Sequence, residues 1–388
     1  MKYDIETAEN KRIGIFSDLH IGVAADSKIR LNETEKCVKW IIEKFKEESV
    51  DWVIFCGDLF NSRYSINVNT LNIGIEIIED LAFNFEKIFL IEGNHDTYYK
   101  NSNSVNSVKF FQKIGKNDNI YVIDEAPKFV KIKDTTLGLY PWAFTPDSLK
   151  DIEDYKIPSF GFGHFEINNI EMAGGLSSGN KFSIEDMFSL GNMIFSGHYH
   201  ANKLYKDIKQ NKLLYIIGSP LQLDWGDYNK DKKIVVLDTA TLERKEIENN
   251  VNAKFRKIFY SRFEKGEYSE EQIKDICHHN FVKFIIDKQY NFNNILNFSE
   301  AIKKFDLYSF ELDYLISMSN DIINESTVEL IKANTKTNKE YLLEYIDKIF
   351  PEYEKINELL DLAYLKSLAV SYYDKSQVSK DEQREIIE

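Results

Sequence analysis

The chain has 388 residues and a formal net charge of −14, with 43% hydrophobic and 29% charged residues. These values are typical of a globular protein with a large core and room for two or three domains. The acidic balance argues against one broad basic surface for nucleic acid, although bound divalent cations could supply local positive charge to a phosphodiester. The N-terminus lacks the apolar segment of a secretory signal, and no apolar run approaches the ~18–20 residues of a membrane span.

Cysteine usage points to a reducing compartment. The three cysteines, Cys37, Cys56 and Cys277, are far apart and form no CxxC pair. Such thiols are expected to stay reduced in a cytoplasm. We therefore expect a cytoplasmic protein with no membrane association.

Residues 13–240 alternate between strand-like and helix-like segments. After the first apolar strand, apolar residues recur at helical spacing in three segments, 33–45, 69–83 and 104–114. This rhythm predicts an α/β fold with a largely parallel sheet covered by helices. Two runs around Asp134-Thr135 are typical of a hairpin, and further strands are predicted at 213–217 and 233–237. Together they favour a two-sheet α/β sandwich.

The chain changes character twice after this region. A polar stretch around 238–252 predicts a boundary, which gives a first domain of residues 1–245. Residues 250–317 alternate strand and helix patterns, as expected of a small α+β domain. From about residue 318 to 388 the pattern is helical, with wide apolar stripes that need a partner surface.

Five short motifs of metal-binding residue types each follow an apolar, strand-like run. They are Asp18-Leu19-His20, Gly57-Asp58, Gly93-Asn94-His95-Asp96, Gly163-His164 and Gly197-His198-Tyr199-His200. The carboxyl ends of strands are where ligands collect in open α/β sheets. We therefore expect all five motifs to meet at one sheet edge.

The side chains in these motifs form a mixed set of oxygen and imidazole ligands. Asp18 and His20 are two residues apart, so both point to the same side of an extended strand end. Asp58 offers a carboxylate that could bridge two cations, and Asn94 adds a neutral amide oxygen. This set suits Mn²⁺, Fe²⁺ or Zn²⁺ better than a Ca²⁺ or Mg²⁺ cage of oxygens.

Two such cations about 3.5–4 Å apart would form a centre for phosphoester hydrolysis. The reaction also needs an acid that protonates the leaving group, and His95 stands in the same turn as Asn94. Asp96 could orient the His95 imidazole through a direct hydrogen bond. His95 and Asp96 are thus the predicted catalytic residues.

Each residue also has an ordinary structural explanation. A lone His20 or His164 at a strand end is more often a hydrogen-bonded structural histidine. Asp58 could cap a helix, and Asn94 could be a turn residue. The joint occurrence of five motifs favours the metal site.

The series DxH, GD, GNHD, GH and GHxH resembles the calcineurin-like metallophosphoesterase superfamily. The resemblance implies that one metal is held by Asp18, His20, Asp58 and His200. It implies that the other is held by Asp58, Asn94, His164 and His198. In this pattern His95 matches the catalytic histidine that does not bind metal.

A narrower resemblance comes from GDLFNSR, GNHDTYYKN, YPW, GHFEINN, SGHYH and GSPLQL. These stretches are similar to those of SbcD-type DNA-repair nucleases, among them the recombination endonuclease subunits of T4-like phages. The resemblance covers most of residues 11–265 and extends to the C-terminal third in layout only. It implies a DNA-capping domain at 250–317 and helices at 318–388 that dock on the coiled coil of an SbcC-type ABC ATPase.

The same resemblance implies a homodimer formed through helices 69–83 and 104–114, and a host-cytoplasmic location if the protein is phage-encoded. Asn61 departs from the pattern, because cellular members often carry a substrate-handling histidine there. Asn61 and Arg63 are the predicted DNA contacts, although Arg63 could equally be a solvated side chain.

We therefore expect a Mn²⁺-dependent DNA exonuclease or endonuclease with two metal ions, acting with an ATPase in repair, recombination or replication. One alternative is an enzyme that uses the same site on small phosphodiesters or phosphoproteins. A second alternative is a non-catalytic scaffold that has kept the fold.

Overall fold

Two β-sheets packed face to face form the centre of the computed structural model, as the sequence pattern predicts. The structure describes residues 2–99, 102–114, 118–142, 144–168, 170, 182–288, 295, 298, 302, 304–315, 343, 346–347, 362–363 and 365–370. Within that part of the chain, no helix is long and apolar enough to cross a lipid bilayer.

The first sheet has six strands and carries three of the five motifs. In spatial order these are β15 (Arg244–Glu248), β14 (Lys233–Asp238), β2 (Arg12–Phe16), β3 (Trp52–Cys56), β4 (Lys87–Ile91) and β7 (Ile120–Ile123). Strands β2, β3, β4 and β7 are parallel, whereas β14 is antiparallel to both of its neighbours. The carboxyl ends of β2, β3 and β4 therefore lie at the same edge.

The second sheet has seven strands and carries the other two motifs. In spatial order these are β1 (Ile5–Thr7), β8 (Lys128–Ile132), β9 (Thr135–Leu139), β10 (Phe160–Gly163), β11 (Met193–Ser196), β13 (Lys212–Ile216) and β12 (Lys203–Asp207). Strands β8 and β9 form the predicted antiparallel hairpin. Strands β10 and β11 run parallel to each other, so the motifs that follow them are neighbours.

Alternating side chains of the strands form separate cores on the two faces of the first sheet. Ile13, Ile15 and Ile54 point into the core between the sheets and are fully buried. Phe16 points to the opposite face, which packs against helices. Burial of a side chain of this size stabilises the fold by about 1.5–3 kcal/mol.

Helices cover the outer face of the first sheet. Among the described residues, the helices with assigned bounds are α1 (Val23–Asp26), α2 (Lys28–Glu47), α3 (Val68–Asn84), α4 (Phe111–Ile114), α5 (Ile184–Met187), α6 (Tyr260–Glu264) and α7 (Glu270–Cys277). The residues of α2 and α3 belong to the core on the outer face of the first sheet, whereas α6 and α7 contact a third sheet. Helices α2 and α3 confirm the predictions at 33–45 and 69–83. Phe45 of α2 lies directly against Gly14 of β2, where a Cβ would come within 2.5 Å of the ring.

The predicted helix at 104–114 is wrong over most of its length. Residues Ser102–Asn106 form strand β6, which pairs with β5 (Thr97–Tyr99), and only Phe111–Ile114 is helical. The Asn106 side chain accepts hydrogen bonds from the backbone N–H groups of Val108 and Lys109, at 3.2 and 2.7 Å. This local turn competes with helix formation.

A third sheet follows the sandwich and contains only parallel pairs. Its strands are β16 (Phe255–Phe259), β17 (Phe281–Ile286) and β18 (Ser309–Tyr314). Helix α7 begins with a capping box between Ser269 and Gln272. The sequence pattern also predicts a helix at 298–305, of which residues 298 and 302 are described as helical and 299–301 and 303 lie outside the described residues.

Residues 316–388 form a separate compact unit. Its described positions, 343, 346–347, 362–363 and 365–370, are helical. Lys366 and Asp347 form a hydrogen-bonded ion pair at 2.6 Å. The rest of the predicted helical segment 318–388 lies outside the described residues.

Candidate metal centre

The edges of both sheets supply the residues of one buried cluster. Motif residues after β2, β3 and β4 meet motif residues after β10 and β11. The sequence pattern led us to expect a single sheet edge, and the structure corrects this, because two facing sheets contribute. The predicted ligands brought together are Asp18, His20, Asp58, Asn94, His164, His198 and His200.

Asp18, His20 and His200 form one half of the cluster. Their ligand atoms lie within 4.8 Å of one another. The Nε2 atoms of His20 and His200 are 3.2 Å apart, and Nε2 of His20 is 3.8 Å from Oδ1 of Asp18. Asp18 is fully buried.

Asp58, Asn94, His164 and His198 form the other half. Oδ1 of Asn94 lies 3.0 Å from Nε2 of His164 and 2.9 Å from Nδ1 of His198. Oδ2 of Asp58 lies 3.3 Å from Nε2 of His164 and 3.4 Å from Nε2 of His20. Asp58 therefore stands between the two halves, where a bridging carboxylate would be needed.

The backbone at these positions adopts a rare conformation. Asp18, His20, Asp58 and His198 have positive φ angles of 54°, 45°, 59° and 83°. Non-glycine residues seldom adopt this left-handed region, and such strain is concentrated at functional sites. Gly93 also has no room for a side chain, because an added Cβ would overlap Asp58.

Burial and the charge of neighbouring residues shift the pKa values of the cluster in opposite directions. Burial lowers the pKa of His198 to about 3 and that of His20 well below its usual value. Burial also lowers the pKa of His164, but the charge and hydrogen bond of Asp58 outweigh it and raise the pKa to about 9. Burial raises the pKa of Asp58, but His164 outweighs this and holds it well below the usual range.

The donor atoms of the cluster fit divalent cations. Oδ2 of Asp18 is buried and has no hydrogen-bond partner among the described residues. Two imidazole Nε2 atoms face each other, and the Asn94 oxygen points at two further ring nitrogens. Carboxylate, amide and imidazole lone pairs that converge in this way are a typical ligand set for Mn²⁺, Fe²⁺ or Zn²⁺.

Supporting contacts hold two of the histidines from outside the cluster. Nδ1 of His164 lies 2.8 Å from the carbonyl oxygen of Cys56, which leaves Nε2 to face the site. Lys232 is buried, pairs with Asp227 at 2.7 Å and donates to the carbonyl of His200 at 2.7 Å. Sequence reasoning missed these contacts, because Lys232 lies in the charged run KDKK and Cys56 contributes through its backbone.

His95 lies at the edge of the cluster, near His20 and Asp58. Its backbone N–H donates to Oδ1 of Asp58 at 2.8 Å, and its ring is 4.8 Å from that of His20. Its Nδ1 is 2.6 Å from the carbonyl oxygen of Asn61, which makes Nδ1 the protonated nitrogen and leaves Nε2 for another group. One ring nitrogen of His95 also lies within 4.8 Å of the ligand atoms of His20 and Asp58. The prediction that His95 does not bind metal therefore stays a prediction.

The expected hydrogen bond from Asp96 to the His95 ring is wrong. The buried Asp96 carboxylate instead accepts backbone N–H groups of Asp58, Leu59, Phe60 and Gly93, at 2.9 to 3.2 Å. Unsatisfied N–H groups of two tight turns outcompete a neighbouring ring. Asp96 thus joins the loop after β3 to the loop after β4.

Of the two predicted DNA contacts, Asn61 lies beside His95. Asn61 is half-buried, and its backbone N–H donates to the carbonyl of Ile21 at 3.0 Å. Arg63 follows two residues later and is also half-buried. The contact of both residues with DNA stays a prediction.

The chain is similar to several known proteins. A family model described as calcineurin-like phosphoesterase matches residues 11–286. Exonuclease subunit 1 of Enterobacteria phage T4 is 26% identical over 347 residues, which cover 86% of this chain and 97% of that protein. Among solved structures, the phosphoesterase YfcE from E. coli matches 62% of this chain and all of its own, at 11% identity and a TM-score of 0.32. A dimetal phosphatase from Danio rerio matches 61% of this chain and 98% of its own, at 9% identity and a TM-score of 0.39.

The family match covers more than half of the chain and includes every predicted ligand. This family uses a dimetal centre, and the structure holds candidate metal-binding residues at the carboxyl ends of its strands. The chain belongs to the calcineurin-like phosphoesterase family.

Proposed function

We propose that this protein is a Mn²⁺-dependent DNA nuclease, with exonuclease or endonuclease activity, that acts as a subunit of an ATPase–nuclease complex in DNA repair, recombination or replication. The observation that carries the proposal is the similarity to phage T4 exonuclease subunit 1 over 97% of that protein's length. That match spans more of the chain than the phosphoesterase family model does. The T4 protein is named as a subunit of an exonuclease, which supports a multi-subunit assembly.

The seven ligand residues, of which Asp18, His20, Asp58 and His164 are buried, would hold two cations, one through Asp18, His20, Asp58 and His200 and one through Asp58, Asn94, His164 and His198. Cations bound there would activate a water nucleophile and neutralise negative charge on the phosphoryl oxygens. The proposal favours Mn²⁺, with Fe²⁺ or Zn²⁺ compatible with the same donors.

His95 would supply the leaving-group proton. Its Nδ1 is engaged by the Asn61 carbonyl, so the proton would be delivered from Nε2 of the imidazolium to the departing oxygen. Asp96 would act as a positioning residue, because it fixes the two loops that carry Asp58 and His95. Asn61 and Arg63 would contact the DNA backbone next to the cleaved bond.

The proposed partners are an SbcC-type ATPase and a second copy of the chain. Residues 250–317 would cap the DNA, and residues 318–388 would dock on the ATPase coiled coil. The homodimer would use α3, where Val68 and Phe83 are 82% and 85% exposed. We expect Phe83→Asp to convert a dimer to a monomer in light scattering, with Ile208→Asp, also highly exposed, as the control.

The nuclease proposal is tested with purified full-length protein, end-labelled linear and single-stranded DNA, and Mn²⁺. We expect metal-dependent cleavage that EDTA abolishes. Efficient hydrolysis of bis(p-nitrophenyl) phosphate with intact DNA would contradict the proposal and favour a small-phosphodiester substrate. No hydrolysis of either substrate would favour the non-catalytic scaffold.

A further inference from the structure

Three tyrosines form an exposed cluster beside His95. Tyr64, Tyr98 and Tyr99 are 72%, 43% and 50% exposed. The Tyr64 and Tyr98 rings are 5.9 Å apart at 85°, and the Tyr98 and Tyr99 rings are 4.8 Å apart at 86°. Because the rings meet edge to face, aromatic surface is left open to solvent.

The two chain segments that carry Tyr64 and Tyr98 begin at Asn61 and at His95, and these two residues are in contact. Nδ1 of His95 is 2.6 Å from the Asn61 carbonyl. Tyr64 follows Asn61 by three residues and Tyr98 follows His95 by three residues. Three residues span at most about 11 Å, so both rings are anchored close to the proposed leaving-group acid.

Local hydrogen bonds hold both segments in place. The hydroxyl of Thr97, which is buried next to Tyr98, donates to the carbonyl of Gly93 at 2.9 Å. The Ser62 hydroxyl accepts from the backbone N–H groups of Tyr64 and Ser65, both at 3.4 Å. The cluster is therefore a pre-formed aromatic surface, which limits the entropy lost when a ligand binds.

We propose that Tyr64, Tyr98 and Tyr99 form a stacking platform for the bases of a single-stranded DNA end whose phosphodiester lies at His95. This inference rests on the proposed nuclease function. With a net charge of −14, the chain is not expected to present a broad basic surface for phosphate contacts. Base stacking on aromatic rings supplies affinity without a basic surface, and it tolerates any sequence because every base has a π face.

The test compares the wild type, a triple alanine variant of Tyr64, Tyr98 and Tyr99, and a triple phenylalanine variant. Ile208→Ala, which truncates an exposed apolar side chain between β12 and β13, is the matched control. Each protein is assayed with Mn²⁺ on a single-stranded oligonucleotide and on bis(p-nitrophenyl) phosphate, which has no base. Quenching of 2-aminopurine at the oligonucleotide ends is measured in EDTA, where no cleavage occurs.

We expect the alanine variant to raise the oligonucleotide KM about tenfold or more, since stacking contributes about 1–3 kcal/mol per base. The decrease in kcat/KM should be about fivefold larger on the oligonucleotide than on the small diester. The 2-aminopurine quenching should disappear. The phenylalanine variant and Ile208→Ala should behave like the wild type.

Three results separate failure of the platform from failure of the proposed function. A wild type that cleaves the oligonucleotide, with the same KM and quenching in the alanine variant, would overturn the platform alone. The same holds if the alanine substitutions only convert a dimer to a monomer, because the tyrosines would then face a second copy. A wild type that cleaves the small diester but neither cleaves nor quenches the oligonucleotide would overturn both.

Discussion

The pKa values of the histidines in the cluster are shifted in different directions, although these residues lie within a few ångströms of one another. His20 and His198 are kept neutral mainly by burial, whereas the Asp58 carboxylate raises the pKa of His164 to about 9. A backbone carbonyl engages Nδ1 of His95, as it does Nδ1 of His164, but His95 lies at the edge of the cluster. We propose that the histidines inside the cluster bind cations and that His95 moves a proton.

Replacing His95 tests this separation. We expect His95→Ala to lower kcat by about 10²–10⁴, because a positioned acid contributes that much to proton transfer. The variant should keep both metal ions, measured by mass spectrometry of the purified protein. Ile208→Ala, which truncates an exposed side chain between β12 and β13, should change neither quantity. Loss of a metal ion in His95→Ala would show that His95 is a ligand.

The pKa of His164 predicts a pH-dependent stability. In the metal-free protein this pKa is raised from 6.5 to about 9, so its stabilising contribution is complete below pH 6.5 and is lost as the pH rises through about 9. Bound cations need the neutral imidazole and displace its proton. We therefore expect the Tm difference between Mn²⁺-loaded and EDTA-treated protein to widen from pH 6.5 to 9. A constant difference in differential scanning fluorimetry would contradict the assignment.

At the scale of elements, the site depends on how loops at two sheet edges are fixed. Asp96 joins the loops after β3 and β4 through backbone hydrogen bonds. Lys232 holds the loop after β11 through the His200 carbonyl. The strained φ angles of Asp58 and His198 persist because these buried contacts determine the loop geometry.

Removing the charge of Asp96 should loosen this edge. Asp96→Asn keeps the size of the side chain but replaces one acceptor oxygen with a donor that faces backbone N–H groups. Charge-assisted hydrogen bonds contribute about 1.5–3 kcal/mol each, so we expect a Tm lower by several degrees and weaker Mn²⁺ binding in calorimetry. Asp134→Asn, in the exposed turn between β8 and β9, is the control. An Asp96 variant with wild-type Tm and metal affinity would refute the anchoring role.

The sequence allowed these elements to be predicted to different degrees. The apolar runs before each motif predicted strands β2, β3, β4, β10 and β11, and α3 was predicted within one residue at each end. Strand β15 was missed because it is an edge strand of mostly charged residues, which the pattern could not distinguish from a linker. The Asp96 bonds were missed because they join backbone groups 36 to 38 residues away, and no local pattern encodes such a contact.

On the scale of the whole molecule, a buried carboxylate connects the sandwich to the third sheet. Glu33 of α2 accepts hydrogen bonds from Asn252 and from the backbone N–H of Ala253, both at 2.8 Å, and from the Tyr308 hydroxyl at 3.0 Å. Arg30 lies 5.0 Å from the centre of the Phe281 ring. These contacts fix the proposed capping domain relative to the candidate metal centre.

Glu33→Ala should release the third sheet while leaving the metal cluster intact. The buried Ala253 N–H and the half-buried Tyr308 hydroxyl would lose their acceptor, while Asn252 would keep the Glu33 backbone carbonyl. An unpaired buried donor costs about 1–3 kcal/mol. We expect faster amide hydrogen exchange in β16 and β17, measured by mass spectrometry, with little change in β2 and β3. Glu35→Ala, two residues further along the same helix and therefore on another face, is the matched control. Uniform exchange changes throughout the chain would contradict a local connection.

We propose that two facing sheet edges hold two divalent cations through seven side chains, with His95 left for proton transfer. The most direct test is an anomalous difference map of crystals grown with Mn²⁺. We predict two peaks about 3.5–4 Å apart, with Asp58 between them and neither peak coordinated by His95. A single peak, or a peak bound to the His95 ring, would contradict the claim.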